Sequence, residues 1–203
     1  MRTSSLAAVA AALLAAGCNP ETMGAGAPTR AKVTVAGRAV TIAAPPGLCI
    51  DEPSTRVDAA GAFVLVRDCA DGATARPPRA AMTASVSSGG LTGEGDAAAD
   101  TLAELQAYLA TPDGLALVGR SGRSGGVRVL AQQLSGDVLF VLVEDRGPQP
   151  IAGLDTRFWR AFLEVNGRMT VLSMLGSDGA GGSEEGLRAL AALASATRGA
   201  NRG

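Results

Sequence analysis

The chain has 203 residues and a formal net charge of −1; 47% of it is hydrophobic but only 3% is aromatic. A chain so near neutrality has no basic field with which to hold nucleic acid. It contains no histidine, which removes Ser-His-Asp and Cys-His catalysis, histidine-ligated haem and the usual zinc sites.

Arg2 precedes an uninterrupted apolar run, Leu6 to Leu14, too short to cross a bilayer as a stable helix. Small residues then crowd a cleavage point, so residues 1–17 read as a signal peptide. The segment Leu14-Ala15-Ala16-Gly17-Cys18 resembles the bacterial lipobox, with Ala15 where leucine is usual. That resemblance implies acylation of Cys18 and attachment to a membrane by more than one chain, which makes anchoring stable. The alternative is an ordinary secretory signal with Cys18 a spare thiol. Asn19 stands where enteric lipoproteins kept in the inner membrane carry aspartate, so the periplasmic face of the outer membrane is the implied destination.

Residues 18–30 then read as the lipidated cysteine and a flexible tether, 31–199 as one globular domain and 200–203 as a tail. Without Cys18, two cysteines remain, Cys49 and Cys69. In a compartment that permits disulfides they predict a structural bridge, against two buried thiols or a redox pair.

Lys32–Val35 and Arg38–Ile42 alternate around Ala36-Gly37 and predict a hairpin. Leu48–Asp51 reads as a turn-bearing segment, and Ala62–Cys69 as a strand buried on both faces. Asp71–Arg79 reads as a loop, Ala81–Val86 as a strand, and Ser87–Asp96 as loose chain. A helix opens at Asp100-Thr101, carries Leu102, Leu105, Tyr108 and Leu109, and stops at Pro112 and Gly114. Leu115–Val118 reads as a short strand and the glycine-rich 119–126 as a loop. Val127–Leu134 with Val138–Asp145, and Arg157–Val165 with Arg168–Leu175, predict two hairpins, the second turning on Asn166-Gly167. Ser183-Glu184-Glu185 opens a closing helix with Leu187, Leu190, Ala191 and Ala194 on one stripe.

These elements predict an α+β domain: an antiparallel sheet of roughly six or more strands with two main helices packed on it. Their order, a hairpin, strands, a helix, a four-stranded meander and a closing helix, is similar to that of PsbP-like domains, known from extrinsic photosystem subunits and bacterial envelope proteins. Pro46–Asp51, Ala62-Phe63-Val64-Leu65 with a second cysteine, and Phe158-Trp159-Arg160-Ala161-Phe162 resemble a group of uncharacterised alphaproteobacterial lipoproteins. That resemblance implies a lipoprotein and brings no activity with it.

Little in the chain points to chemistry. A Ser-Lys dyad has only Lys32 to draw on. Walker A and dinucleotide-binding fingerprints are lacking. The acidic neighbours Glu144-Asp145 and Asp51-Glu52 would support a carboxylate-dependent hydrolase, but neighbours on a strand face opposite ways, and solvation at the surface is the plainer reading. The acidic, glycine-rich 178–185 has no EF-hand pattern and reads as a loop and helix cap. Arg120, Arg123 and Arg128 flank the glycine loop and could grip an anionic headgroup or glycan, or simply belong to an exposed loop. Arg157, Trp159 and Arg160 belong to an aromatic-arginine run that serves either as core or as an interface patch.

The expectation is a non-catalytic envelope lipoprotein, without cofactor or metal, that binds another envelope component as an accessory or assembly factor. A small-ligand or anion-binding domain is the alternative.

Overall fold

The computed structural model describes residues 27–69, 80–91, 98–148 and 152–202. The signal peptide, Cys18, most of the tether, the 71–79 loop and part of 87–96 lie outside the described residues.

The first hairpin forms as expected: β1 (Arg30–Val35) pairs with β2 (Arg38–Ala43) as a separate two-stranded sheet. Ala36 and Gly37 both take positive φ, 45° and 77°, the pair of left-handed residues that a type I′ turn needs. Among the described residues the main sheet has seven strands: β3 (Leu48–Val57), β4 (Gly61–Asp68), β5 (Ala80–Ser87), β6 (Val127–Ser135), β7 (Val138–Asp145), β8 (Arg157–Val165) and β9 (Arg168–Gly176). Their order across it is β3-β4-β5-β9-β8-β7-β6, every neighbour antiparallel. The sheet is thus two meanders, β3–β5 and β6–β9, joined where β5 meets β9. The Asn166-Gly167 turn has φ of 51° and 68°, so the second C-terminal hairpin closes as the sequence requires.

Among the described residues three α-helices flank the sheet: α1 (Ala98–Tyr108), α2 (Pro112–Val118) and α3 (Glu184–Ala200). The structure is therefore α+β, with helices on both faces. Alternation along β8 shows the division. Trp159, Ala161 and Leu163 belong to one core with Leu190, Leu193 and Ala194 of α3, to which β1 and β2 add Val33, Val35, Val40 and Ile42. Phe158 and Phe162 belong to the other, with Leu102 of α1, Leu109 just past its end, Val118 of α2, and Leu139, Val141 and Val143. The hairpin is tied down over the C-terminal half of α3: Asn201 bonds both the N–H and the carbonyl of Thr41, and Arg168 donates to the carbonyls of Val35 and Ala36.

Three expectations need correction. Leu115–Val118 is not a strand but the end of α2. Thr111 is its N-cap, accepting from the Gly114 N–H at 3.1 Å, and Pro112 stands at its first position, where a missing N–H is harmless. The proline that ends α1 thus begins the next helix. Leu48–Asp51 is not merely turn-bearing; it opens the ten-residue β3, whose register shifts between Asp51 and Arg56 and so accommodates Pro53 at a bulge. β4 is not buried on both faces, since Ala62, Val64 and Val66 are buried while Phe63, Leu65 and Arg67 are half-buried.

A disulfide joins Cys49 and Cys69. It fastens the start of the edge strand β3 to the end of β4, beside the Leu48–Asp68 pair.

Candidate functional site

The candidate residues gather at one end of the sheet, where β7 runs out through Glu144 and Asp145. Strand alternation sends Glu144 to the α3 face and Asp145 to the α1/α2 face. Each is the centre of a different arginine cluster.

On the α3 face the ladder sets Glu144 between Arg128 of β6 and Arg157 of β8. Arg128 donates to Oε2 through Nε at 3.2 Å and through Nη2. Arg157 Nε lies 3.3 Å from Oε1, and Arg146, one residue past the strand, brings Nε to 3.3 Å from Oε2. The carboxylate side chain is 4% exposed, whereas Arg128, Arg146 and Arg157 are 61%, 64% and 62% exposed. Three guanidiniums therefore roof one covered acid.

The Arg128 hydrogen bonds, the Arg157 hydrogen bond and the nearby charges outweigh burial and hold the Glu144 carboxyl at about 2, well below its ordinary 4.5. A folded-state value below the unfolded one contributes stability that is present above pH ~4.5 and is lost as pH falls towards ~2. Acid unfolding of the wild type should steepen in that window. A Glu144→Gln variant should lack that increment, read as a flatter dependence of the urea midpoint on pH between the two values. An identical slope would remove the roof from the account of acid stability.

On the opposite face Asp145 accepts from the backbone N–H of Arg120 and of Gly147, both at 2.8 Å. It ties the start of the 119–126 loop to the β7 exit. Arg120 turns inward: its guanidinium carbon sits 4.0 Å from the Phe158 ring centroid, and Nη2 donates to the Asp155 carbonyl at 2.7 Å. Arg160 lies over the same ring at 5.4 Å and reaches the Gly119 carbonyl at 3.4 Å. Burial and the neighbouring Arg120 charge push the Arg160 guanidinium down to about 10, so it remains charged near neutrality. Two arginines thus share one aromatic ring, as cation–π attraction favours.

Glu144 and Asp145, expected as solvated surface acids, are thus 3% and 1% exposed and engaged in structural bonds. Asp51 is paired with Arg67 at 2.8 Å and is lowered, chiefly by a Ser54 hydrogen bond, while Glu52 is exposed. Lys32 is exposed on β1.

The candidate set divides. Arg128 and Arg157 share the Glu144 roof, Arg120 and Arg160 share Phe158, and Arg123 is exposed in the loop. Trp159 is core, with Nε1 donating to the Ser183 carbonyl at 3.1 Å. The interface reading centred on Trp159 therefore gives way to core packing. Residues 178–185 form a closed loop and cap: Asp155 accepts from the Gly179 and Gly181 N–H groups at 2.8 Å each, and Ser183 caps α3 at Gly186. Among the described residues no three metal-ligating side chains come together.

Sequence reasoning missed Arg146 and the exposed apolar residues of β6. β6 shifts register between Val129 and Ala131, leaving Leu130 as the extra residue of a bulge. Its broken alternation, Val-Leu-Ala, was the available signal. Among the described residues five large hydrophobic side chains are exposed, and four of them, Tyr108, Leu117, Leu130 and Leu134, lie on α1, α2 and β6.

The chain matches no protein-family model, no curated protein and no solved structure. Among the described residues no helix is long and apolar enough to cross a membrane.

Proposed function

We propose that the chain is an envelope lipoprotein, anchored through Cys18 on the periplasmic face of the outer membrane, and a non-catalytic accessory or assembly factor for another envelope protein. We also propose kinship with PsbP-like domains and with the alphaproteobacterial lipoproteins, on element order and on the segments quoted above. The partner docks as an extended segment along β6.

The contrast between the two sheet edges carries this reading. A free edge offers unpaired N–H and C=O groups to another chain, and proteins that do not use it protect it. β3 has such protection: Asp51, Glu52, Pro53 and Arg56 stand along it, a register shift breaks it, and the disulfide pins its start. β6 has six exposed residues in nine, among them Leu130 and Leu134, with Tyr108 and Leu117 exposed on the helices of the same side. Arg128 and the exposed Arg123 stand at or just before its start, so the segment that fits is apolar with an acidic end. The commitment of Glu144, Asp145 and Asp51 to ion pairs and backbone N–H groups supports a binding role over a hydrolytic one.

The test places a photo-crosslinker at Leu134 and, as control, at Val57 on the opposite edge, in intact cells. We expect one envelope protein captured from position 134 alone, with capture abolished by Leu130→Lys and absent from a Cys18→Ser secreted form. Equal capture from both edges, capture only of a second copy of the chain, or none from position 134 would overturn the proposal. Unchanged circular dichroism of Leu130→Lys guards against loss of fold.

A further inference from the structure

We propose that Arg128, Arg146 and Arg157 form a binding site for a phosphate monoester, with Glu144 beneath them as its organiser. This does not depend on the β6 docking proposal.

The first argument is charge. One carboxylate meets three guanidiniums within 3.3 Å or less, which leaves a local excess of two positive charges. A phosphate monoester carries about −1.5 to −2 near neutral pH, whereas a carboxylate or a phosphodiester carries one charge. The second argument is access. An incoming anion must meet the cations without meeting the acid. Glu144 is covered, at 4% exposure, while each arginine side chain is more than half exposed. The carboxylate engages Nε of all three and Nη2 of two, and on these exposed side chains the remaining donors of each planar fork suit phosphate oxygens.

Preorganisation is the third argument. Arg128 and Arg157 are held on strands either side of Glu144, so their backbones stand about 10 Å apart, twice the strand spacing. Long arginine side chains normally lose rotamer freedom on gripping a ligand; here Glu144 has already gathered them. Beside the roof, Arg157 also lines a cleft of about 300 Å³ with Asp155, Thr156, Gly179, Gly182 and Ser183. The one acid in that cleft, Asp155, has each of its oxygens on a loop N–H, Gly179 or Gly181.

Two sources offer this group: a soluble phosphorylated compound and a lipid headgroup with a terminal phosphate. The fold bears on the second. The Ile50 N–H donates to the Pro28 carbonyl at 2.6 Å, so the N-terminal segment meets the sheet at the start of β3. The pairs Leu48–Asp68, Ala80–Gly176 and Glu144–Arg157 run along that same end. The site and the point where the N-terminal segment joins the sheet therefore share one end of the molecule.

The full chain bearing Cys18→Ser is titrated with inorganic phosphate by calorimetry. It is also sedimented with phosphatidylcholine vesicles containing phosphatidic acid or, as the phosphodiester control, phosphatidylglycerol. Arg146→Gln is the main variant, because Arg146 lies beyond the strand and Glu144 keeps two partners without it; Arg157→Gln is the second. Loss of one charge-assisted contact should weaken binding about tenfold or more, with thermal midpoints near wild type. Binding of phosphate and of phosphatidic acid vesicles, both lost in the variants, establishes the site for both sources. Binding of vesicles alone assigns the headgroup, and of phosphate alone the soluble compound. No binding at millimolar phosphate or to vesicles, equal binding of phosphatidylglycerol, or binding unmoved by both variants would overturn it.

Discussion

Replacing Phe158 with alanine is expected to lower the unfolding free energy by about 3–5 kcal/mol, a large part of the ~5–15 kcal/mol that holds a typical domain. The ring is fully buried, packed with Leu102, Leu109 and Phe162 in the core between the sheet and the two short helices. Arg120 and Arg160 lie against it at 4.0 and 5.4 Å. Alanine would leave a void there and deprive two neighbouring guanidiniums of the ring that attracts both. Phe158→Leu distinguishes these effects. It keeps most of the apolar volume and removes the π face, so its expected loss is smaller, about 1–2 kcal/mol. Urea unfolding read by Trp159, the single tryptophan, on the opposite face of the sheet, measures both. Equal losses for the two variants would show that filling the site matters little, contrary to this account.

The second large effect is expected from the disulfide. Exchanging Cys49 and Cys69 together for serine should reduce stability by about 3 kcal/mol, the value for a loop of the 20-residue separation seen here. The loss should not spread evenly. β3 is an edge strand with an interrupted ladder, so its first residues should detach in local openings once the bridge is gone. Native-state hydrogen exchange checks this: amides of Cys49→Ser to Asp51 should exchange far faster in the double variant, while those of β8 should follow only the global change. A thermal midpoint unmoved by reductant in the wild type would contradict the prediction.

Much of this fold was legible because its signals are local. Ala36-Gly37 and Asn166-Gly167 specify their turns within two residues, Ser183 caps the helix that follows it, and the period of two along Phe158–Leu163 sorts side chains onto two faces. What failed depended on partners far off in the chain. Leu115–Val118 is a short apolar run, which suits a strand as well as a helix. Thr111-Pro112 carries the start signal, but a proline after a helical stripe is equally a stop. Glu144 and Asp145 look like surface acids until Arg128, Arg157 and the Arg120 backbone are brought to them by ladders and a loop. Arg120 and Arg123 sit in one glycine-rich stretch, yet one points to an aromatic ring and the other to solvent. Only tertiary packing separates them.

The join between the two meanders has a consequence for how the chain is made. Ala84 of β5 pairs with Leu172 of β9, with two helices and three strands of chain between them. Loop closure over such a span slows folding. Until β9 arrives, the first half presents Met82, Ala84 and Val86, all buried in the finished molecule, along an open sheet edge. A chain interrupted before β9 is therefore a sticky fragment and not a smaller version of the domain. The last strand and the helix after it decide whether the first half stays out of aggregates.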